Sequence, residues 1–444
     1  MATAKQAERV KKEARIRAWA ARRACSAFRG FARRTSLVKR GAVLLALVAL
    51  VLALPREAHA APESQPVAAS APLYRVSLLT MGPGDPFVTL FGHDALLVER
   101  TGLPPLVYNF GMYTEAAIAP HHVLGGTLRY FLEPAHFART VRMYRGQDRA
   151  VVEQSLDLDP AVAERLAAAL SINSRPENAA YHYDFARDNC TTRVRDALDR
   201  ALDGALRRSL VGTARRTYRD HALRFTAHDW PLYFLFDLGL GRSVDRPLSA
   251  WDDAYLPDRL MDAVRQVRLP GPNGPRPLVS AEKALVVTRR APTPEMPPVR
   301  APWHALAGAV IGGCLAWAGR RPGPRLRVVL GLGSAAVGFV TGLLGVWVLL
   351  LLGTKVHPAT HENFNAVVCP PLALWLVVPG VAVALGRASG ARRLARATAV
   401  VAATSALGLA AATLAGQESY RVALLVLPLF SGAWLGARAA LRRA

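Results

Sequence analysis

Cysteine and acidic side chains are both scarce in this chain. Its 444 residues include four cysteines, and 32 Asp and Glu stand against 56 Lys and Arg. Cys25 lies in a basic leader, Cys314 and Cys369 lie in or beside long apolar runs, and only Cys190 falls in the stretch between. It has no local partner, so a disulfide-stapled domain is excluded and a lone thiol remains to be explained. The acid deficit gives a net charge of +24, which invites a nucleic-acid reading. The distribution of charge rejects it. Residues 1–40 carry 13 basic and 2 acidic side chains, residues 301–444 also carry 13 and 2, and residues 61–300 carry 29 and 27. A nucleic-acid binder concentrates positive charge on its folded domain, and here that domain is nearly neutral. No internal repeat is present.

The apolar residues collect at the two ends. AVLLALVALVLAL follows the basic residues 1–40 and precedes AHA-AP, a small-x-small cleavage pattern after Ala60. Residues 41–60 therefore read as a signal peptide or an uncleaved anchor, and residues 61–287 as an exported domain. A Pro-rich linker, TRRAPTPEMPPVRAP, covers residues 288–302. Residues 303–440 contain five runs long enough to span a bilayer. Arg320, Arg321, Arg325 and Arg327, then Arg387, Arg392, Arg393 and Arg396, and finally Arg438, Arg442 and Arg443 all fall on one side, while the opposite loops hold Lys355 and Arg421. The Arg-rich side is cytoplasmic, which puts the exported domain on the outer face of the inner membrane.

Cys190 sits in YDFARDNCTTRVRD. Asp188 and Asn189 are good N-cap residues, and Val194, Ala197, Leu198 and Leu202 share one helical face, so the sulfur is predicted on the first turn of a helix. Unpaired backbone amides there favour a thiolate and would also hold an oxyanion. The bland alternative is a small buried residue. A base is predicted upstream. LYRVSLL, HDALLVE and LVYNF read as strands, MGPGDP as a loop and ERTGLPP as a hairpin turn. Folding that hairpin brings Asn109 or Phe110 opposite His93. Cysteine, histidine and a polar orienting group make the constellation of papain-like enzymes, although a lone His in a Gly-flanked turn is commonly a structural hydrogen-bonder.

MGPGDPFVTLFGHDALLV, VYNFGMY and YHYDFARDNCTTRVRD resemble the exported domain of bacterial lipoprotein N-acyltransferases of the Lnb type. They are more distantly similar to permuted papain-like enzymes, in which the His strand precedes the Cys helix. The resemblance implies an α+β fold, a permuted papain-like exported domain followed by a five-helix transmembrane bundle. It implies Cys190 as nucleophile, His93 as general base and Asn109 as orienting group. It further implies an acyl donor (a membrane phospholipid or a lipoprotein), a lipoprotein amine as acceptor, and no cofactor.

TVRMYRGQ (140–147) and AVVEQSLDL (150–158) read as paired strands, DPAVAERLAAAL as a helix opened by Pro160, residues 216–266 as mostly helical, and PGPNGPRP (270–277) as a turn-rich approach to the membrane. The outward loop TKVHPATHENFNA holds His357, His361, Asn363 and Asn365. It reads as a solvated turn, as a site that with Asp188 and Asn189 binds substrate, or as a metal site through His357 and His361 completed by His121 and His122. A cysteine hydrolase on the same scaffold, a non-enzymatic envelope module and a metal-dependent phosphohydrolase stand as alternatives to the acyltransferase.

Overall fold

The computed structural model describes residues 73–114, 128–354 and 358–443. The leader, the 41–60 segment with its cleavage site, Cys25, His121, His122, Lys355 and His357 lie outside the described residues.

The exported part is built on an antiparallel sheet. Its strands are β1 (Tyr74–Met81), β2 (His93–Arg100), β3 (Leu106–Met112), β4 (Arg129–His136), β5 (Val151–Leu156), β6 (Ala180–His182) and β7 (Val279–Val286), and their order across the sheet is β7-β5-β1-β2-β3-β4-β6. Alternation along the strands makes two apolar faces. Val76, Leu78, Leu96, Val98, Tyr108 and Phe110 face one way. Three helices cover them: α2 (Pro160–Asn173), α3 (Cys190–Ala201) and α6 (Pro257–Gln266). Leu79, Met81, Ala95, Leu97, Val107 and Val151 face the other way, under Tyr144 of α1 (Phe137–Gly146). A fully buried Leu contributes about 1.5–3 kcal/mol, so a sheet buried on both faces is a rigid floor for whatever stands at its ends.

Two expectations are corrected here. Residues 140–147 are helical, because Phe137, Thr140, Val141 and Tyr144 form a 3.6-period stripe that packs onto the sheet. PGPNGPRP does not approach the membrane; it turns the chain between two short bridging strands and back into the sheet, where β7 pairs along β5.

Between α3 and α6 the chain is mostly helical, including α4 (Tyr218–Phe225) and α5 (Trp230–Gly239). Residues 287–300 lack helix and strand, yet they are tied down. Arg224 and Tyr233 donate to the carbonyls of Pro294 and Pro298, and Arg216 pairs with Glu295.

Five helical segments among the described residues are long and apolar enough to cross a membrane: Ala301–Arg320 (α7), Pro324–Leu352 (α8), Asn365–Ala384, Gly390–Leu414 (α10) and Tyr420–Leu441 (α11). The third is broken. It runs Asn365–Val368, passes Pro370 and Pro371 as a tighter helix, and resumes as α9 (Val377–Ala384). Proline removes a donor and clashes with the preceding turn, so the interruption follows from the sequence. Close backbone approach at Gly308, Gly312, Gly319, Gly432 and Gly436 packs α7 against α11.

Candidate active site

Cys190 is the first residue of α3. Asn189 caps that helix: its Oδ1 accepts from the Thr192 N–H at 2.8 Å, and the Thr192 hydroxyl accepts from the Asn189 N–H at 2.8 Å. The Asn189 Nδ2 donates to the Phe185 carbonyl at 2.7 Å and to the Tyr255 carbonyl at 3.1 Å. These bonds fix where the sulfur starts its helix. Asp188 is occupied by a two-point ion pair with Arg193.

His93 stands at the sheet's end, as the first residue of β2. β2 pairs with β3 so that Ala95 lies opposite Asn109. The direct His93–Asn109 opposition expected from the hairpin is therefore off by two residues, and alternation still leaves both side chains on one face. Asn109 reaches diagonally, its Oδ1 3.4 Å from His93 Nε2. Its own Nδ2 donates to the carbonyls of Val107 (3.1 Å) and Glu133 (3.5 Å), which orients the amide so that its oxygen faces the imidazole. An amide oxygen only accepts, so this contact assigns the proton to Nε2 and leaves Nδ1 as the basic nitrogen.

Gly111 brings the two halves together. Its φ is +84°, a left-handed conformation that glycine adopts without cost. A Cβ there would stand 3.2 Å from Cys190 Cβ, 3.8 Å from the Tyr181 hydroxyl oxygen and 3.9 Å from His93 Cε1. Cysteine and histidine thus meet over a bare backbone, both within 4 Å of one point.

The electrostatics differ from the expectation of a resting thiolate. Burial pushes the Cys190 thiol above its usual pKa, against the N–H groups of Asp94, Thr191 and Cys190 itself and the Thr191 hydroxyl, all of which favour the anion. Desolvation opposes charge on either partner. It lowers the His93 imidazole to about 4, with the Asp94 carboxylate opposing and the Arg149 guanidinium assisting. Asp94, which follows His93 and faces the helix side of the sheet, is raised to about 7 by burial and then by the nearby sulfur, despite hydrogen bonds from Thr80 and Thr191. Burial, with the sulfur adding to it, also raises the hydroxyls of Tyr130 and Tyr144 to about 12 and those of Tyr181 and Tyr183. Sequence reasoning missed Asp94, Gly111, Arg149 and this ring of phenols. Only Asp94 left a trace, as a carboxylate at an inward position of β2 in register with Leu96 and Val98.

The outward loop meets the end of α5. Asn363 Nδ2 donates to the Leu238 carbonyl at 2.9 Å, and Asn365 Nδ2 donates to the carbonyls of Asp237 (3.1 Å) and Leu238 (3.0 Å). Gln417 donates to Asn363 at 2.9 Å, and His361 Nε2 lies 2.5 Å from the Thr354 carbonyl. These bonds tie Asn363 and Asn365 to the end of α5 and to Gln417, and they set His361 against the backbone of its own loop. Among the described residues no group of three His, Cys, Asp or Glu is placed to hold a metal ion.

No curated protein and no solved structure matches the chain. Residues 66–222, which include His93, Asn109, Gly111 and Cys190, match the family model of the Lnb N-terminal periplasmic domain. With five membrane-capable helices behind it, that match describes a membrane protein with a periplasmic domain and supports kinship with the Lnb family.

Proposed function

We propose that the protein is a thiol acyltransferase of the inner membrane, with a permuted papain-like site, that moves a fatty acyl chain from a lipid ester to the N-terminal amine of a lipoprotein. The observation that carries this reading is the convergence of Cys190, His93 and Asn109 over Gly111. The family match and the apolar helices beneath the site support it.

His93 Nδ1 takes the thiol proton as the sulfur attacks the ester carbonyl, forming the C–S bond. The N–H groups of Cys190 and Thr191 at the open end of α3, which favour the sulfur anion, would then take up the oxyanion. Collapse breaks the C–O bond, and His93 returns the proton to the leaving alkoxide. The acceptor amine then attacks the thioester, the C–S bond breaks, and the amine's proton passes through His93 to the sulfur. The pair starts neutral and ends neutral, so no buried charge is carried between turnovers.

Intact-mass analysis of the full chain purified from membranes tests the reading. A hydroxylamine-sensitive acyl adduct is expected on Cys190 and not on Cys190→Ala, and lipoprotein N-termini in cells relying on Cys190→Ala should stay unacylated. Unchanged N-acylation by Cys190→Ala would end it. Release of free fatty acid without N-acylated product would turn the assignment to hydrolysis on the same scaffold.

A further inference from the structure

Phe87 and Val88 are 63% and 50% exposed in the loop that leads to His93. The Phe87 ring stands at the rim of an aromatic series whose other members are half-buried or buried. Phe87 stacks on Phe236 of α5 with centroids 5.9 Å apart. Phe91 lies 6.1 Å from Phe236, 5.2 Å from Phe225 of α4 and 4.7 Å from Phe185.

The two ends of the series define it. At one end Phe185 precedes the nucleophile by five residues and Phe91 precedes the base by two, both half-buried. At the other end α5 lies against the outer end of α8: a Cβ on Gly239 would stand 2.8 Å from the Trp347 ring and 3.2 Å from Leu351. Leu349 and Leu350, on that same turn of α8, are exposed on a helix that crosses the bilayer. Apolar contacts therefore follow one another from the exposed end of α8, through Gly239 and Phe236 of α5, to Phe91 and Phe185, which neighbour His93 and Cys190 in the chain.

We propose that this aromatic series is the acyl-chain subsite, taking the hydrocarbon tail of a bilayer lipid from the outer leaflet so that its ester carbonyl reaches the sulfur. The proposal rests on the acyltransfer reading above and adds the route and the residues. Rings suit this ligand because they offer wide apolar contact with few rotatable bonds. The adjoining charge of Asp237 on α5 is held by Arg219 and Arg421.

Two probes on the full chain in phospholipid nanodiscs test this. The first compares Cys190 acylation by p-nitrophenyl butyrate with acylation by dipalmitoyl phosphatidylglycerol, in wild type and in Phe87→Asp, a position where the native ring is mostly exposed. Losing one ring contact of about 1.5 kcal/mol should lower the long-chain to short-chain ratio by about tenfold. An unchanged ratio overturns the subsite, whereas no adduct on wild-type Cys190 from either ester overturns the acyltransfer reading instead. The second probe is a phospholipid with a diazirine at the acyl terminus, which needs no chemistry at Cys190. Crosslinks to peptides containing Phe87, Phe91 or Phe236 support the path, and crosslinks confined to α7 through α11 overturn it.

Discussion

Burial acts against charge on both members of the Cys190–His93 pair. A cysteine on the first turn of a helix is expected to ionise easily, and three backbone N–H groups do favour its anion. Removal from water outweighs them and holds the thiol above its usual value, while the imidazole falls to about 4. Neutral thiol beside neutral imidazole is therefore the resting state across neutral pH. An ion pair would need the two shifts to have the opposite signs. Asp94 adds to this, because its ionisation near 7 places a negative charge beside the sulfur as pH rises. Iodoacetamide alkylation of Cys190 should rise from pH 6 to 9 with no plateau, by up to about tenfold per pH unit and less steeply near 7, where Asp94 ionises. A rate that is flat between pH 5 and 8 would mean a preformed thiolate and would contradict the burial argument. On the acid side the imidazole gains its proton only as pH falls through about 4, so base catalysis should persist to about pH 5.

At the scale of elements, what was legible in the sequence was what neighbouring residues decide. The cap at Asn189, the Pro160 start of α2, the strands β1 to β3 and the apolar runs each carry their signal within a few residues. Long-range pairing left no such signal. β7 joins β5 across more than a hundred residues, Val279 lying opposite Leu156, and its place in the sheet was invisible. TVRMYRGQ alternates well enough to mimic a strand, and only packing under Tyr144 chooses the helix. The site was partly legible for the same reason. Cys190 and His93 sit in local motifs, but the diagonal reach of Asn109 and the bare contact at Gly111 depend on register and on a positive φ. The cap offers a test at this scale. Asn189→Ala removes the bond to Thr192 N–H and strips the Phe185 and Tyr255 carbonyls of their donor. Loss of such a cap costs about 1–2 kcal/mol, and the sulfur loses its fixed position. Asn189→Ser, which keeps the cap acceptor, should lie between Ala and wild type in thermal midpoint in detergent and in acyl-adduct yield. If Ala matches wild type in both, the cap does not position Cys190.

Across the whole molecule, the catalytic reading requires the periplasmic domain to hold a fixed height over the bilayer, and a buried charge cluster provides that hold. Asp237 of α5 accepts from Arg219 at 3.1 Å and from Arg421 of α11 at 3.0 Å, and it is 0% exposed, as is Arg219. Arg219 also pairs with Asp245 at 2.5 Å, Arg421 pairs with Glu418 at 2.8 Å, and the Glu418 N–H donates to Asp245 at 3.1 Å. The domain and the last membrane helix thus share one carboxylate. Such a cluster is weak evidence for net stability, because its ions lose their hydration, but breaking it strands the remaining charges. Asp237→Ala leaves two guanidinium groups facing a common void and should cost about 3–5 kcal/mol. It should lower the thermal midpoint in detergent and speed proteolysis of residues 287–300, whose anchors lie on α4 and α5. Asp237→Leu combined with Arg421→Leu removes a charge from each side and leaves Arg219 its Asp245 partner, so the pair should be less damaging than Asp237→Ala alone. The double variant also separates stability from function. If it folds yet acylates Cys190 from the short ester and not from phospholipid, the cluster sets the domain's seat on the membrane, because only the lipid substrate depends on the height of α5 above α8. Equal loss with both esters would instead place the damage in the site itself.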